Sequence, residues 1–289
     1  MAMKLLKYGI GIFMPEAPEG FDLNRFASGD AFSYTVAAGE DAGTVPIDVP
    51  AGRSSVRISM GAGAKARFVE ISEGPRESVV EIDLGAAAAA AYVSGSRAIM
   101  RDRAVLPANG TPFESVHRTA RLAEGAKLEW IDETSTQDFA RAVFVTRLEG
   151  EGASVEATSL LRGGGKQRFD VFHEIVHAAP RTTSNLRVGS VLAGDAKAIV
   201  RGLVRVEKDA PGCISRQKEE TLLLSDAAEI DAVPMLEIGN QDVRCSHAAT
   251  VGRIDAEKMF YLMSRGLDRA SAESMLIDAF MEPYLAKLS

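Results

Sequence analysis

Through the middle of the chain one habit recurs. A tight turn of small and polar residues, often closing on Gly-Ala or Asp-Ala, leads into a stretch where apolar and polar side chains alternate. GAGAKARFVEI from Gly61, AEGAKLEWI from Ala123, GEGASVEATSLL from Gly150, AGDAKAIVRGLVRV from Ala193 and SDAAEIDAVPMLEI from Ser225 all show it. A period of two marks strands with one buried face. Many short strands, frequent turn signals and few helical stretches predict an all-β body. A closed barrel, a sandwich and a β-helix each satisfy that pattern. The gapped recurrence favours the β-helix, where every coil stacks on its neighbour and buries a continuous core. The run Ala86–Ala91 favours helix by propensity alone. Its flanks VVEIDL and YVSGSR read as strands, which places the run in a solenoid interior that admits only small side chains.

The pattern changes near the C-terminus. Asp255 is a helix cap, with Lys258, Met259, Phe260, Leu262 and Met263 in the helix and Gly266 as its stop. A second helix is expected from about Arg269 to Phe280, with Met275, Leu276, Ala279 and Phe280 on one stripe, and Pro283 interrupting before a final turn near Leu288. The first 28 residues hold the low-complexity MPEAPEGFDL and no clear periodicity. The expected division is an N-terminal arm over 1–28, a β-body over 29–252 and a helical subdomain over 253–289.

Composition narrows the function. With 289 residues there is ample core for one large domain or two ordinary ones. A net charge of −7 argues against a nucleic-acid surface, which needs clustered Lys and Arg. No apolar run approaches the roughly 20 residues that span a bilayer. The opening MKLLKYGIGIF is a short apolar stretch broken by Lys7, without a following small-residue cleavage site, so the protein reads as cytoplasmic. Cys213 and Cys245 do not make a disulfide framework and are expected as thiols. Gly163-Gly164-Gly165-Lys166 lacks the spacing and the Ser or Thr of a phosphate-binding loop, so the chain is not its own ATPase.

Two constellations bear on chemistry. His173-Glu174-Ile175-Val176-His177 matches the H-E-x-x-H zinc motif, which works only on a helix. The segment RFDVFHEIVHAAP is rich in β-branched and aromatic residues, and as a strand it turns Glu174 away from both histidines. Pro180 and Thr183 also stand where the metzincin extension requires glycine and histidine. A zinc hydrolase built on these residues is therefore the lesser reading, and histidines at the surface or edge of the core the greater. The second constellation is Cys245 and His247, which on a strand share a face roughly 7 Å apart. Taken alone, such a pair is more often a packed thiol and a hydrogen-bonded imidazole than a ligand set.

The stretch from Leu222 to Gly266, with Cys245-Ser246-His247-Ala248-Ala249-Thr250-Val251-Gly252 inside it, resembles the C-terminal signature of the SufB/SufD family of iron–sulfur cluster assembly proteins. The segment Ala179-Pro180-Arg181-Thr182-Thr183-Ser184 after the histidine strand agrees. The C-S-H pattern is SufD-like, and Lys218-Glu219-Glu220 fills the stretch where SufB-like members carry a cysteine. The resemblance implies a right-handed parallel β-helix with a small C-terminal helical subdomain. It implies a non-catalytic scaffold subunit, a homodimer or SufB/SufD-type heterodimer, working with a SufC-type ABC ATPase. Docking candidates for that ATPase are Phe260, Tyr261, Arg265 and Phe280. The cargo would be a transient iron–sulfur cluster, with Cys245, His247, Cys213, Glu219 and Glu237 as candidate ligands. A four-iron cluster usually takes four thiolates, and this chain has two. That shortfall predicts assembly at a subunit interface. A β-helix enzyme acting on polysaccharide is the other alternative, weakened by a content of one Trp and five Tyr.

Overall fold

The computed structural model describes residues 30–49, 52–72, 76–96, 113–134, 136 and 138–288. The expected arm over 1–28 lies outside them. The described chain forms sixteen strands and then two helices. The odd-numbered strands, from β1 (Asp30–Val36) to β15 (Glu229–Ile238), line up in one eight-stranded sheet, and the even-numbered strands, from β2 (Asp41–Val49) to β16 (Val243–Arg253), in another. Every pairing is parallel and joins a strand to the one two places on, as with β11 (Arg168–His177) against β9 (Phe139–Leu148) and β13 (Lys197–Val206). This is a right-handed parallel β-helix, two strands to a coil.

The recurring turn explains the Gly-Ala and Asp-Ala signals. At Gly61-Ala62-Gly63-Ala64 the Ala64 N–H donates to Gly61 O over 3.2 Å, and Gly63 takes φ +67°. A positive φ at the third residue makes a type II turn. The residue closing the turn is a buried alanine at Ala64, Ala88, Ala126, Ala153, Ala196 and Ala210, whereas the turns at 37–40 and 164–167 close on Glu40 and Gln167. These corners have room for one methyl group. The Ala86–Ala91 run follows from this. Ala86 and Ala87 are exposed turn residues, Ala87 adopting the left-handed φ of +55°, whereas Ala88 and Ala90 point inward.

The solenoid interior is apolar along most of its length, with stacks such as Ile58, Ile82 and Ala120, and Met60, Leu84 and Leu122. Midway it carries a buried ionic plug. Arg118 pairs with Asp132 and, at 3.5 Å, with Glu70, and its guanidinium lies 5.4 Å from the ring centroids of both Tyr92 and Phe144. Trp130 packs edge-on against both rings.

Two helices follow the last strand, α1 (Ala256–Ser264) and α2 (Arg269–Leu288). Asp255 caps α1, its carboxylate accepting from Glu257 N at 2.9 Å and Lys258 N at 3.3 Å, and Gly266 ends the helical region at φ +100°. The second helix departs from expectation twice. It continues through Pro283 to Leu288, and its buried face is Met281, Tyr284 and Leu285 with Ile277 and the expected Phe280 partly buried beside them, whereas Met275 and Ala279 are exposed. A proline inside a helix costs about 3 kcal/mol. Burying three large side chains after residue 280 at about 1.5–3 kcal/mol each outweighs it. The helix lies across the outer face of the even-numbered sheet, packed on Leu160, Val191 and Leu222. Tyr284 sits on Gly189, where a Cβ would fall 2.6 Å from the ring, and its hydroxyl donates to Glu220 at 3.1 Å.

Candidate functional site

The sixteenth strand ends the solenoid. Among the described residues β16 pairs only with β14 (Cys213–Leu223), and β15 only with β13, so both strands of the last coil leave one edge unpaired. On β14 every second residue from Cys213 to Thr221 is buried, so Cys213, Ser215, Gln217, Glu219 and Thr221 face inward. Register carries that stripe onto β16, where Cys245 continues from Ser215, His247 from Gln217 and Ala249 from Glu219. With no coil beyond, His247 is exposed and Cys245 half-buried.

Cys245 packs against Val206, Ala210 and Cys213. Burial pushes the Cys245 thiol up, the neighbouring Cys213 adds to this, and a backbone hydrogen bond from Ser215 partly offsets it. The thiol is therefore protonated at neutral pH, and any metal it takes displaces a proton. Cys213 is fully buried, 3.1 Å from Thr182 Oγ1 and 3.2 Å from Ala210 O.

Behind the thiols runs a buried hydrogen-bonded line. Thr182 donates to Ala179 O at 3.1 Å, so its oxygen accepts from His177 Nδ1 at 2.7 Å. His177 Nε2 then accepts from Ser184 at 2.8 Å, and Ser184 and Ser215 are 2.7 Å apart. Burial holds His177 down at about 4, so the ring is neutral at pH 7 with both nitrogens satisfied.

Glu219 lies deeper on the same stripe. The Gln217 amide donates to Glu219 Oε1 at 2.7 Å and to Gly202 O at 3.1 Å. Gly202 makes the space, since a Cβ there would fall on Gln217 Nε2. Glu219 Oε2 and Gln217 Oε1 are buried without a hydrogen-bond partner. Burial raises Glu219 to about 7, against the smaller opposing effect of the Gln217 bond.

The sequence-predicted residues thus separate. Cys213, Cys245, Glu219 and His247 share one inward stripe on the last two even-numbered strands. Glu237 is on β15 in register with Arg205, faces outward and bonds Arg205 Nε at 2.7 Å. Among the described residues no three His, Cys, Asp or Glu side chains gather to hold a metal ion. The HEIVH segment is strand β11. Glu174 faces outward and pairs with Arg205 at 3.0 Å, whereas His173 and His177 point into the core. His173 stacks on Phe144 at 4.4 Å and meets Ser159 at 3.0 Å. The two histidines lie deeper than the surface or core edge expected for them, and the zinc arrangement is not formed. Among the described residues the aromatics do not line a sugar groove: Trp130 and Tyr92 are core residues, and the exposed rings Phe260 and Tyr261 belong to α1. Sequence reasoning missed Gln217, Thr182, Ser184 and Gly202. Counting inward positions from Cys213 would have found the first, because it places polar Gln217 and Glu219 on a buried face.

The SUF-system iron–sulfur cluster assembly SufBD core domain matches residues 50–280. The chain belongs to the SufB/SufD family. A SufBD-family iron–sulfur cluster assembly protein of Mycobacterium bovis is 35% identical over 176 residues, which is 61% of this chain and 21% of that protein. The Mycobacterium leprae family member is 34% identical over 176 residues, 61% of this chain and 20% of that protein. The iron–sulfur cluster assembly protein SufB of Bacillus subtilis is 32% identical over 176 residues, 61% of this chain and 38% of that protein. The chain therefore spans well under half the length of the curated relatives it matches. Cys245 and His247 lie on β16, and α1 follows it closely. Among the described residues no helix is long and apolar enough to cross a membrane.

Proposed function

We propose that this SufB/SufD-family chain is a non-catalytic scaffold subunit in cytoplasmic iron–sulfur cluster assembly, and that the cluster is built as cargo across the open end of the β-helix. The observation that carries the reading is the placement of Cys245 and His247 on a terminal strand with an unpaired edge. Such an edge is a template for a strand of another chain. A second copy, or a homologous SufB/SufD-type subunit, would complete the coil end and supply the missing ligands. Cys245 and His247 are the accessible ligands in this scheme. Glu219 and Cys213 lie behind them and would join only if the last coil shifts. Glu237, engaged by Arg205 on the other face, takes no part.

The energy source would be a SufC-type ABC ATPase docked on the helical end. Phe260 is 75% exposed and Tyr261 60%, beside a groove of about 390 Å³ lined by Leu223, Leu224, Ile254, Met259 and Met263. Arg265 is exposed at the end of α1, whereas Phe280 packs against Tyr284 on α2. Anaerobic purification of the tagged chain from its host tests the reading. Co-elution of an ABC-type ATPase is expected, with iron and sulfide on the complex that Cys245→Ser and His247→Ala each reduce. An ATPase-free preparation whose iron content ignores both substitutions sinks the proposal.

A further inference from the structure

Among the described residues, the outward face of the odd-numbered sheet holds two arginines that meet a single carboxylate. Asp170 of β11 lies between Arg141 of β9, its direct register partner, and Arg201 of β13. Arg201 donates to Asp170 Oδ1, and its guanidinium lies 5.7 Å from the Phe172 ring centroid. Arg141 Nε is 3.9 Å from Asp170 Oδ2. Two guanidiniums thus share one carboxylate, although Arg141 is only 8% exposed and Arg201 5%. Arg201 Nε is buried without a hydrogen-bond partner.

Buried charges are strongly disfavoured unless paired and fully hydrogen-bonded. Among the described residues in direct contact, Arg141, Arg201 and Asp170 sum to one positive charge in excess, with a donor to spare. Burial, and then the charge of Arg201, pull the Arg141 guanidinium below its usual range, while Asp170 alone raises it. His117 on β7 (Phe113–Leu122) feels the charge of Arg141 as well: burial first and that arginine second lower its pKa, against the smaller opposing effect of Glu81. Planar guanidinium forks present parallel N–H donors that match the oxygens of carboxylate and phosphate groups.

We propose that Arg141 and Arg201, bridged by Asp170, form a binding site for a small oxyanion of the phosphate class. The anion would neutralise the excess charge and take up the spare Arg201 donor. None of these residues belongs to the cluster-building end, so the site stands or falls independently of the scaffold reading.

Calorimetric titration and thermal unfolding with inorganic phosphate, and separately with a phosphate monoester, at ionic strength matched by chloride, test it on the full chain. Saturable binding of either is expected, and which one binds identifies the source. A charge-assisted hydrogen bond is worth enough that Arg201→Gln should weaken binding about tenfold or more. Asp170→Asn gives the opposite sign: with the competing carboxylate gone, phosphate should bind more tightly and raise the midpoint further. That sign decides the question even if Arg201→Gln fails to fold. No saturable response in the wild-type chain, or an Asp170→Asn affinity equal to or below wild type, overturns the proposal.

Discussion

Glu219 offers the sharpest check on the interior of the last full coil. Its carboxyl is buried, one oxygen takes the Gln217 amide, the other takes nothing, and burial lifts its pKa from 4.5 to about 7. A raised pKa means that the folded state holds its proton more tightly than the unfolded chain does. Its contribution is therefore fully present below the unfolded value of 4.5 and lost as pH rises through 7. Between pH 5 and pH 8 this single group should cost the folded state about 2.5 kcal/mol, at 1.36 kcal/mol per pKa unit. Glu219→Gln keeps the shape and the acceptor for Gln217 but cannot ionise. Urea unfolding of the two chains should nearly coincide at pH 5. At pH 8 the variant should be the more stable, its midpoint displaced by about 1 M for a urea dependence of about 3 kcal/mol/M. A difference that stays constant from pH 5 to pH 8 would refute the reasoning, because it would mean that the carboxylate is hydrated or paired in the folded state. Under the proposed function, ligation by Glu219 would have to remove this proton.

Three further outcomes follow from the geometry. His177, held at about 4 by burial against an ordinary 6.5, is depressed in the folded state, so its contribution is present above 6.5 and lost as pH falls towards 4. The stability advantage of wild type over His177→Gln should shrink by about 3 kcal/mol between pH 7 and pH 4, and an unchanged gap in urea titrations would exclude a buried neutral ring. Tyr284→Ala should cost about 3–5 kcal/mol, as large aromatic truncations do; a midpoint within error of wild type would show that α2 is not docked on Gly189. Iodoacetamide should modify Cys245 well before Cys213 in the folded chain, checked by peptide mass spectrometry, and equal rates would contradict full burial of Cys213.

Much of the body was legible because period-two alternation and turn chemistry are local. The Gly-Ala and Asp-Ala signals marked the corners, and the β-branched character of RFDVFHEIVHAAP correctly placed Glu174 opposite its histidines. What was not legible depends on register between coils. The line from His177 through Ser184 to Ser215 joins three strands, and the spacings that bring them together, such as Ser184 onto Ser215, are set by turn lengths elsewhere in the chain. Parity along β14 could have marked Gln217 and Glu219 as buried, but only register with β16 shows that Cys245 and His247 extend the same stripe. Glu237 is the converse case. It was a candidate as a carboxylate that could make up the shortfall of thiolates, yet it sits on the other sheet with its side chain outward. The helix through Pro283 misled for an energetic reason. Local propensity stops a helix there, and only the docking of Met281, Tyr284 and Leu285 on the outer sheet overcomes that preference. In a solenoid, then, local sequence determines which residues face inward, whereas the site is made by stacking, and stacking is a property of coil length that no single segment contains.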